Sequence, residues 1–201
     1  MALVCTRGGI DGAQLLRAAQ PSTALLVQAV HFLLYNVLIG SPAGQPRKGH
    51  LDRLLAQSLS GNGELLARFH DQAVAPWLLV MEELLRLAQQ AGDLYPSGEA
   101  QLTVWFTYQL GLAARLLENC PTQPVAYPAR GLALLDSLVG FALRGLGLTE
   151  AALRRPYRPA ELLAETRRLL GLPTALPLTA KESAHGAVSP AAYGSVAMTA
   201  P

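Results

Sequence analysis

Residues 18–46 contain no aspartate, glutamate, lysine or arginine, and this constrains the fold of the 201-residue chain more than any other feature. The apolar core of the segment, residues 24–39, would extend about 24 Å as a helix. A membrane span needs about 20 apolar residues, and Gln28, His31 and Asn36 interrupt this one. The sequence therefore favours a helix buried at the centre of a protein core over a helix inserted in a bilayer.

Composition indicates that the rest of the chain is also helical. Leucine occurs 40 times and alanine 32 times, whereas isoleucine, valine and threonine together number 23. Strong helix formers thus outnumber the β-branched residues that strands prefer. We expect an all-α fold, either a helical bundle or an irregular multi-helix domain of about six to eight helices over residues 10–171. A short arm (1–9) precedes it, and a flexible C-terminal tail (172–201), rich in small and polar residues, follows it.

Apolar periodicity, together with glycine, proline and capping residues, predicts where the helices lie. The expected ranges are 10–20, 23–39, 50–59, 64–91, 99–118, 129–144 and a last helix from Pro159 to near residue 171. Within 64–91, Pro76 predicts either a kink or the start of a new helix.

Charged residues make up only 15% of the chain, against about 25% in an ordinary soluble domain. The deficit concentrates in residues 18–46, residues 100–114 and the tail. Since obligate interfaces resemble a core cut in half, the excess of apolar helix faces predicts protein partners, in a hetero-assembly or a homo-oligomer. The net charge of +2, which divides into −1 over residues 1–100 and +3 over residues 101–201, does not predict a nucleic-acid partner. The leading hypothesis is a non-enzymatic adaptor or scaffold subunit.

Gln28, His31 and Tyr35 share one face of the central helix, because they are spaced i, i+3, i+7. Buried polar groups need hydrogen-bond partners. The strip therefore predicts either a bonded network between helices or the polar contacts of a pocket. The second interpretation leads to the alternative hypothesis of a helical carrier for a small molecule or lipid.

A helical enzyme is the third hypothesis, and it would use His70, His31 or Asp136. It requires two of these groups to meet in one cleft. His70 and Asp71 are adjacent, but neighbours on an α-helix point about 100° apart, so we do not expect them to form a dyad. Asp136 is expected beside Ser137 on an exposed edge, or paired with Arg130 or Arg144. The histidines lack metal-ligand spacing, and no cofactor-binding or catalytic signature occurs, so neither a metal nor a cofactor is expected.

Trp77 and a cluster of arginines are further candidates for binding. Trp77 lies on the apolar side of the helix that follows Pro76. Arg154, Arg155 and Arg158 form the densest basic cluster and would suit a phosphate or an acidic partner. Nearby glutamates favour a solvated surface with local ion pairs as the simpler interpretation.

Residues 70–77, with the sequence HDQAVAPW, resemble an H-x-x-x-P-W-like element of the TorD-type redox-enzyme maturation chaperones, an all-helical family of similar size, although the spacing from His70 to Pro76 is longer than in that element. The resemblance covers these eight residues without a second motif, so it implies no particular function. Cys5 and Cys120 form neither a CxxC motif nor a disulfide framework, and the N-terminus lacks a signal-peptide pattern. These features predict an intracellular protein, cytoplasmic or nuclear.

Overall fold

The computed structural model describes residues 22–40, 48–95, 99–118 and 128–173. These residues form eight α-helices and one π-helical turn, so the predicted all-α class is confirmed. The π-helical turn, His70–Val74, lies between α3 and α4. The α-helices are α1 (Thr23–Leu38), α2 (Lys48–Ser60), α3 (Glu64–Phe69), α4 (Ala75–Gln90), α5 (Ala100–Glu118), α6 (Gly131–Gly145), α7 (Glu150–Arg154) and α8 (Pro159–Leu169).

Helix α1 is the centre of the fold, as its lack of charge predicts. It packs against α4, α5, α6 and α8, and eleven of its sixteen residues are buried. Ser22 caps its start by accepting a hydrogen bond from the Leu25 N–H. At its other end the Tyr35 carbonyl accepts from the N–H groups of Ile39 and Gly40, and Gly40 takes the left-handed conformation that a glycine adopts without strain (φ 61°).

The long helical segment predicted at 64–91 stays helical throughout, but it widens into a π-helical turn just before Pro76. Pro76 lies in the first turn of α4. Because proline has no N–H and its ring crowds the carbonyl four residues earlier, an α-helical hydrogen bond cannot form there. The wider π-helical turn accommodates the proline, and the helix continues.

The loops that follow α4 and α6 are joined at one end of the fold. The Tyr95 N–H donates to the Gly147 carbonyl (2.8 Å), and the Thr149 N–H donates to the Asp93 carbonyl (3.0 Å). The Thr23 hydroxyl at the start of α1 donates to the Asp93 carboxylate. Since the ends of α4 and α6 meet the beginning of α1, both helices run antiparallel to α1.

Helix α5 lies between α4 and α6, because it packs against both of them as well as against α1. It packs tightly against α1 at Gly111, beside Leu34 and Val37. The Arg115 guanidinium donates to the Val37 carbonyl (2.8 Å), which ties the end of α5 to the end of α1. The far side of α1 is covered by α8.

Several sequence-based expectations fall outside the described residues: the arm 1–9, the helix 10–20 and the tail from residue 174 onward. The first two tail residues are described, and the Pro173 carbonyl accepts a hydrogen bond from Arg167 (2.7 Å). Among the described helices, none combines the length and the hydropathy that a bilayer crossing requires.

Gly111 and Gly145 predict opposite responses to the same substitution. A Cβ at Gly111 would lie 2.7 Å from Cδ2 of Leu34, which is fully buried, whereas a Cβ at Gly145 meets nothing within 4 Å. We expect Gly111→Ala to lower the free energy of unfolding by about 1 kcal/mol, because crowding exceeds the gain in helix propensity. Gly145→Ala should raise it by a few tenths to about 1 kcal/mol. Chemical denaturation measures both, and equal shifts in the two variants would contradict the close approach of α5 to α1.

Candidate functional site

The polar strip on α1 is bonded to α8. The Gln28 side-chain amide donates to the Thr166 hydroxyl (2.9 Å), and Nδ1 of His31 lies 2.8 Å from the same oxygen. Thr166 has no exposed surface, and His31 is 1% exposed. With the Thr166 hydroxyl accepting from Gln28 and donating to His31, all three side chains are used in one network between the two helices.

Burial determines the charge state of His31. Desolvation lowers the pKa of its imidazole from 6.5 to about 4, so the ring is neutral at pH 7. Its Nε2 atom is buried without a hydrogen-bond partner. The Tyr35 ring stacks near the His31 ring, with centroids 6.3 Å apart, and burial raises the pKa of the Tyr35 hydroxyl while the Arg167 charge opposes that rise.

The contacts of the strip are those of a helix–helix network, which is the first of its two sequence-based interpretations. A surface depression of about 360 Å³ lies elsewhere, lined by residues of α2 and α3 such as Gln57 and Arg68. Gln28, His31 and Tyr35 are not among its lining residues.

His70 and Asp71 do form a bonded pair, so the expectation from α-helical geometry was wrong. Nδ1 of His70 lies 3.2 Å from a carboxylate oxygen of Asp71. Both residues belong to the π-helical turn that precedes α4. The imidazole also stacks on the Trp105 indole of α5, with centroids 4.6 Å apart. Because the Asp71 side chain is 77% exposed, the pair is a weak one.

Asp136 is partly buried on α6, and burial raises the pKa of its carboxyl. The Tyr157 hydroxyl donates to the Asp136 backbone carbonyl (2.8 Å). Burial raises the pKa of Tyr157, and the Asp136 charge adds to that rise. The suggested partner Arg144 bonds instead to Glu150 (2.7 Å) and to the Gly140 carbonyl (3.2 Å).

The three residues of the enzyme hypothesis lie in different surroundings. His31 is bonded to α8, His70 is stacked on α5, and Asp136 lies beside Tyr157. Within the described part of the chain, no hydrogen bond, ion pair or ring contact joins any two of them. In the same residues, no three side chains of the histidine, cysteine, aspartate or glutamate types come together as a metal site would require.

The remaining candidates have ordinary surroundings. Trp77 is half-buried and stacks on Phe32 of α1, with ring centroids 5.0 Å apart, so it joins α4 to the central helix. Arg154, Arg155 and Arg158 are exposed, and Arg158 makes a loose ion pair of 3.9 Å with Glu161.

Helix α5 carries an exposed apolar surface whose residues are not among the candidates named from the sequence. Leu102 is 49% exposed and Phe106 is 61% exposed on α5, and Gln109 and Ala113 continue the same stripe toward its end. We call these four residues the α5 outer face. The opposite side of α5 is buried against α1. The sequence feature that indicates this surface is the absence of charge over residues 100–114. Periodicity alone does not tell which side of such a helix is covered by other helices.

Comparisons with protein-family models, with characterised proteins and with solved structures found no match for this chain.

The buried neutral His31 predicts a loss of stability in mild acid. Below pH 6.5 the unfolded chain binds a proton at this residue that the folded chain does not bind until about pH 4. The free energy of unfolding should therefore fall with decreasing pH over that interval, by up to about 3 kcal/mol from this residue.

Denaturant titrations at several pH values between 7.5 and 4.5 measure the effect. His31→Gln should flatten the pH dependence, whereas His70→Gln, a matched control at the half-buried histidine, should leave most of it in place. If the free energy of unfolding depended on pH in the same way in the wild-type chain and in His31→Gln, the attribution of this dependence to His31 would be contradicted.

Proposed function

We propose that this chain is a non-enzymatic helical adaptor or scaffold, a subunit of a protein assembly, which binds its partner through the α5 outer face. The observation that carries the proposal is the exposure of Leu102 and Phe106 on a helix that has no charged residue from 100 to 114. An exposed leucine or phenylalanine by itself is ordinary. Two of them on one charge-free helical stripe form a weakly hydrated surface.

The spacing of the α5 outer face favours a partner with an apolar helix or groove. Leu102, Phe106, Gln109 and Ala113 follow the i, i+4, i+7, i+11 pattern of one straight helical stripe. Burying a leucine or phenylalanine side chain contributes about 1.5–3 kcal/mol. Aromatic residues at the centre of an interface are typical binding hot spots, which makes Phe106 the anchor in this proposal.

The proposal places the protein in a reducing compartment inside the cell, cytoplasmic or nuclear. Its support is the pair of cysteines, Cys5 and Cys120, which form no CxxC motif and no disulfide framework.

Affinity purification of the tagged full-length chain from its native cells, followed by mass spectrometry, tests the proposal. The chain offers a matched pair of variants, because Leu102 on α5 and Leu59 on α2 are similarly exposed, at 49% and 52%. Leu102→Glu should reduce the co-purified partner at least tenfold, since it places a charge in an apolar contact worth about 2 kcal/mol. Leu59→Glu should leave the partner at the wild-type level.

Phe106→Ala serves as a second variant and should reduce the amount of co-purified partner by a similar factor. It should not lower the unfolding temperature, because the Phe106 side chain is 61% exposed in the free protein. Absence of any stoichiometric partner, or equal capture by Leu102→Glu and Leu59→Glu, would refute the role of the α5 outer face.

A further inference from the structure

We propose that the Arg167 guanidinium and the Tyr35 hydroxyl form a binding site for a small monocarboxylate, where the end of α8 meets α1. This inference goes beyond the proposed function, because the site lies apart from the α5 outer face. It follows from two groups that have no acceptor among the described residues: a buried arginine side chain and the hydroxyl of a tyrosine beside it.

Arg167 is buried, with 9% of its surface exposed, although its guanidinium is always charged. Its Nε atom donates to the Pro173 carbonyl (2.7 Å), in the turn that folds back from the end of α8. Within the described part of the chain, the Nη atoms of Arg167 have no acceptor and no carboxylate pairs with them. The adjacent Arg168 is exposed and has its own carboxylate, Glu165 (2.6 Å). Because buried charges in proteins are normally paired, Arg167 retains donors suited to an anion.

The polar strip of α1 leads toward this arginine. The Gln28 amide reaches the Leu162 carbonyl (3.5 Å). Further along both helices, His31 is bonded to Thr166 (2.8 Å). Helices α1 and α8 therefore run parallel, and the next turn of α1 lies beside the residues that follow Thr166.

Tyr35 is the member of the strip on that next turn. It is 3% exposed, and its hydroxyl makes no hydrogen bond to any described residue. The Arg167 charge opposes the rise that burial causes in the pKa of this hydroxyl, so the two groups lie within electrostatic reach of each other. Neither the hydroxyl oxygen nor the Nη atoms of Arg167 are fully enclosed, so a ligand can reach them from outside.

The charge and the donors of this site favour a carboxylate over other anions. The Nη atoms of a guanidinium form a planar fork that matches the two oxygens of a carboxylate, and the tyrosine hydroxyl can donate to one of the same oxygens. One carboxylate charge balances one guanidinium charge, whereas a phosphate would bring a second charge while Arg168 is already paired. Half-buried side chains at the end of α8 supply apolar contacts for the rest of the ligand: Leu169, Leu170 and Leu172.

Titration of the isotope-labelled full-length chain with sodium hexanoate, followed by NMR, tests the site. We expect saturable binding with a dissociation constant of about 1 mM and the largest shifts at Arg167 and Tyr35. Hexanamide has the same apolar chain without the charge and should bind at least about tenfold more weakly. Absence of saturable shifts at both residues with tens of millimolar hexanoate would overturn the proposal.

Variants of the two donors separate binding from a structural role. Arg167→Met keeps an apolar stem without the charge and should weaken hexanoate binding by about tenfold or more. Tyr35→Phe removes only the hydroxyl and should weaken it severalfold, which keeps the test decisive if Arg167→Met does not fold. Arg168→Met, the matched control, should bind as the wild type does. Equal affinities in all four proteins would overturn the assignment.

The same titration distinguishes a free carboxylate from one that belongs to the chain. Beyond residue 173, Glu182 is the only residue with a side-chain carboxylate. Glu182→Gln should bind hexanoate with the wild-type affinity. Tighter binding of hexanoate by Glu182→Gln would show that the tail competes for Arg167, and that result would overturn the proposal of a small-molecule ligand.

Discussion

The burial of α1, in which eleven of sixteen residues are buried, is the constraint on which the rest of the structure depends. A helix with apolar side chains on every side has no stable position in water, so other helices must surround it. Helices α4, α5 and α6 cover one part of α1, and α8 covers the remainder. Hydrogen bonds at Asp93 join the start of α1 to the loops that follow α4 and α6, which holds these helices together at one end.

Burial of α1 also explains the polar contacts inside it. His31 is buried and Gln28 is half-buried, and an unbonded amide or imidazole in a core would cost stability. Thr166 of α8 supplies the missing partner to both of them. The same burial keeps His31 neutral and stacks Tyr35 beside it. Gln28 and His31 of the polar strip thus connect α1 to α8.

Much of the fold could be predicted because helical periodicity and capping are local properties. Pro159 begins α8 as its position in the sequence predicts, and Thr149 caps α7 by accepting a hydrogen bond from the Ala152 N–H. The pairing of His70 with Asp71 was not predicted from α-helical angles, and both residues lie in a π-helical turn next to Pro76. The contact between His70 and Trp105 depends on how α5 packs, which no local pattern encodes.

By itself, the sequence determined that the chain is helical, that the uncharged helix lies at the centre, and that its polar residues share one face. These properties follow from residue type and from spacing along a single helix. Only the tertiary structure decided which apolar faces are covered. Residues 100–114 are uncharged like α1, yet the packing of α5 against α1, α4 and α6 buries one side and leaves Leu102 and Phe106 exposed. Coverage is a property of neighbouring elements, and a periodic pattern contains no information about them.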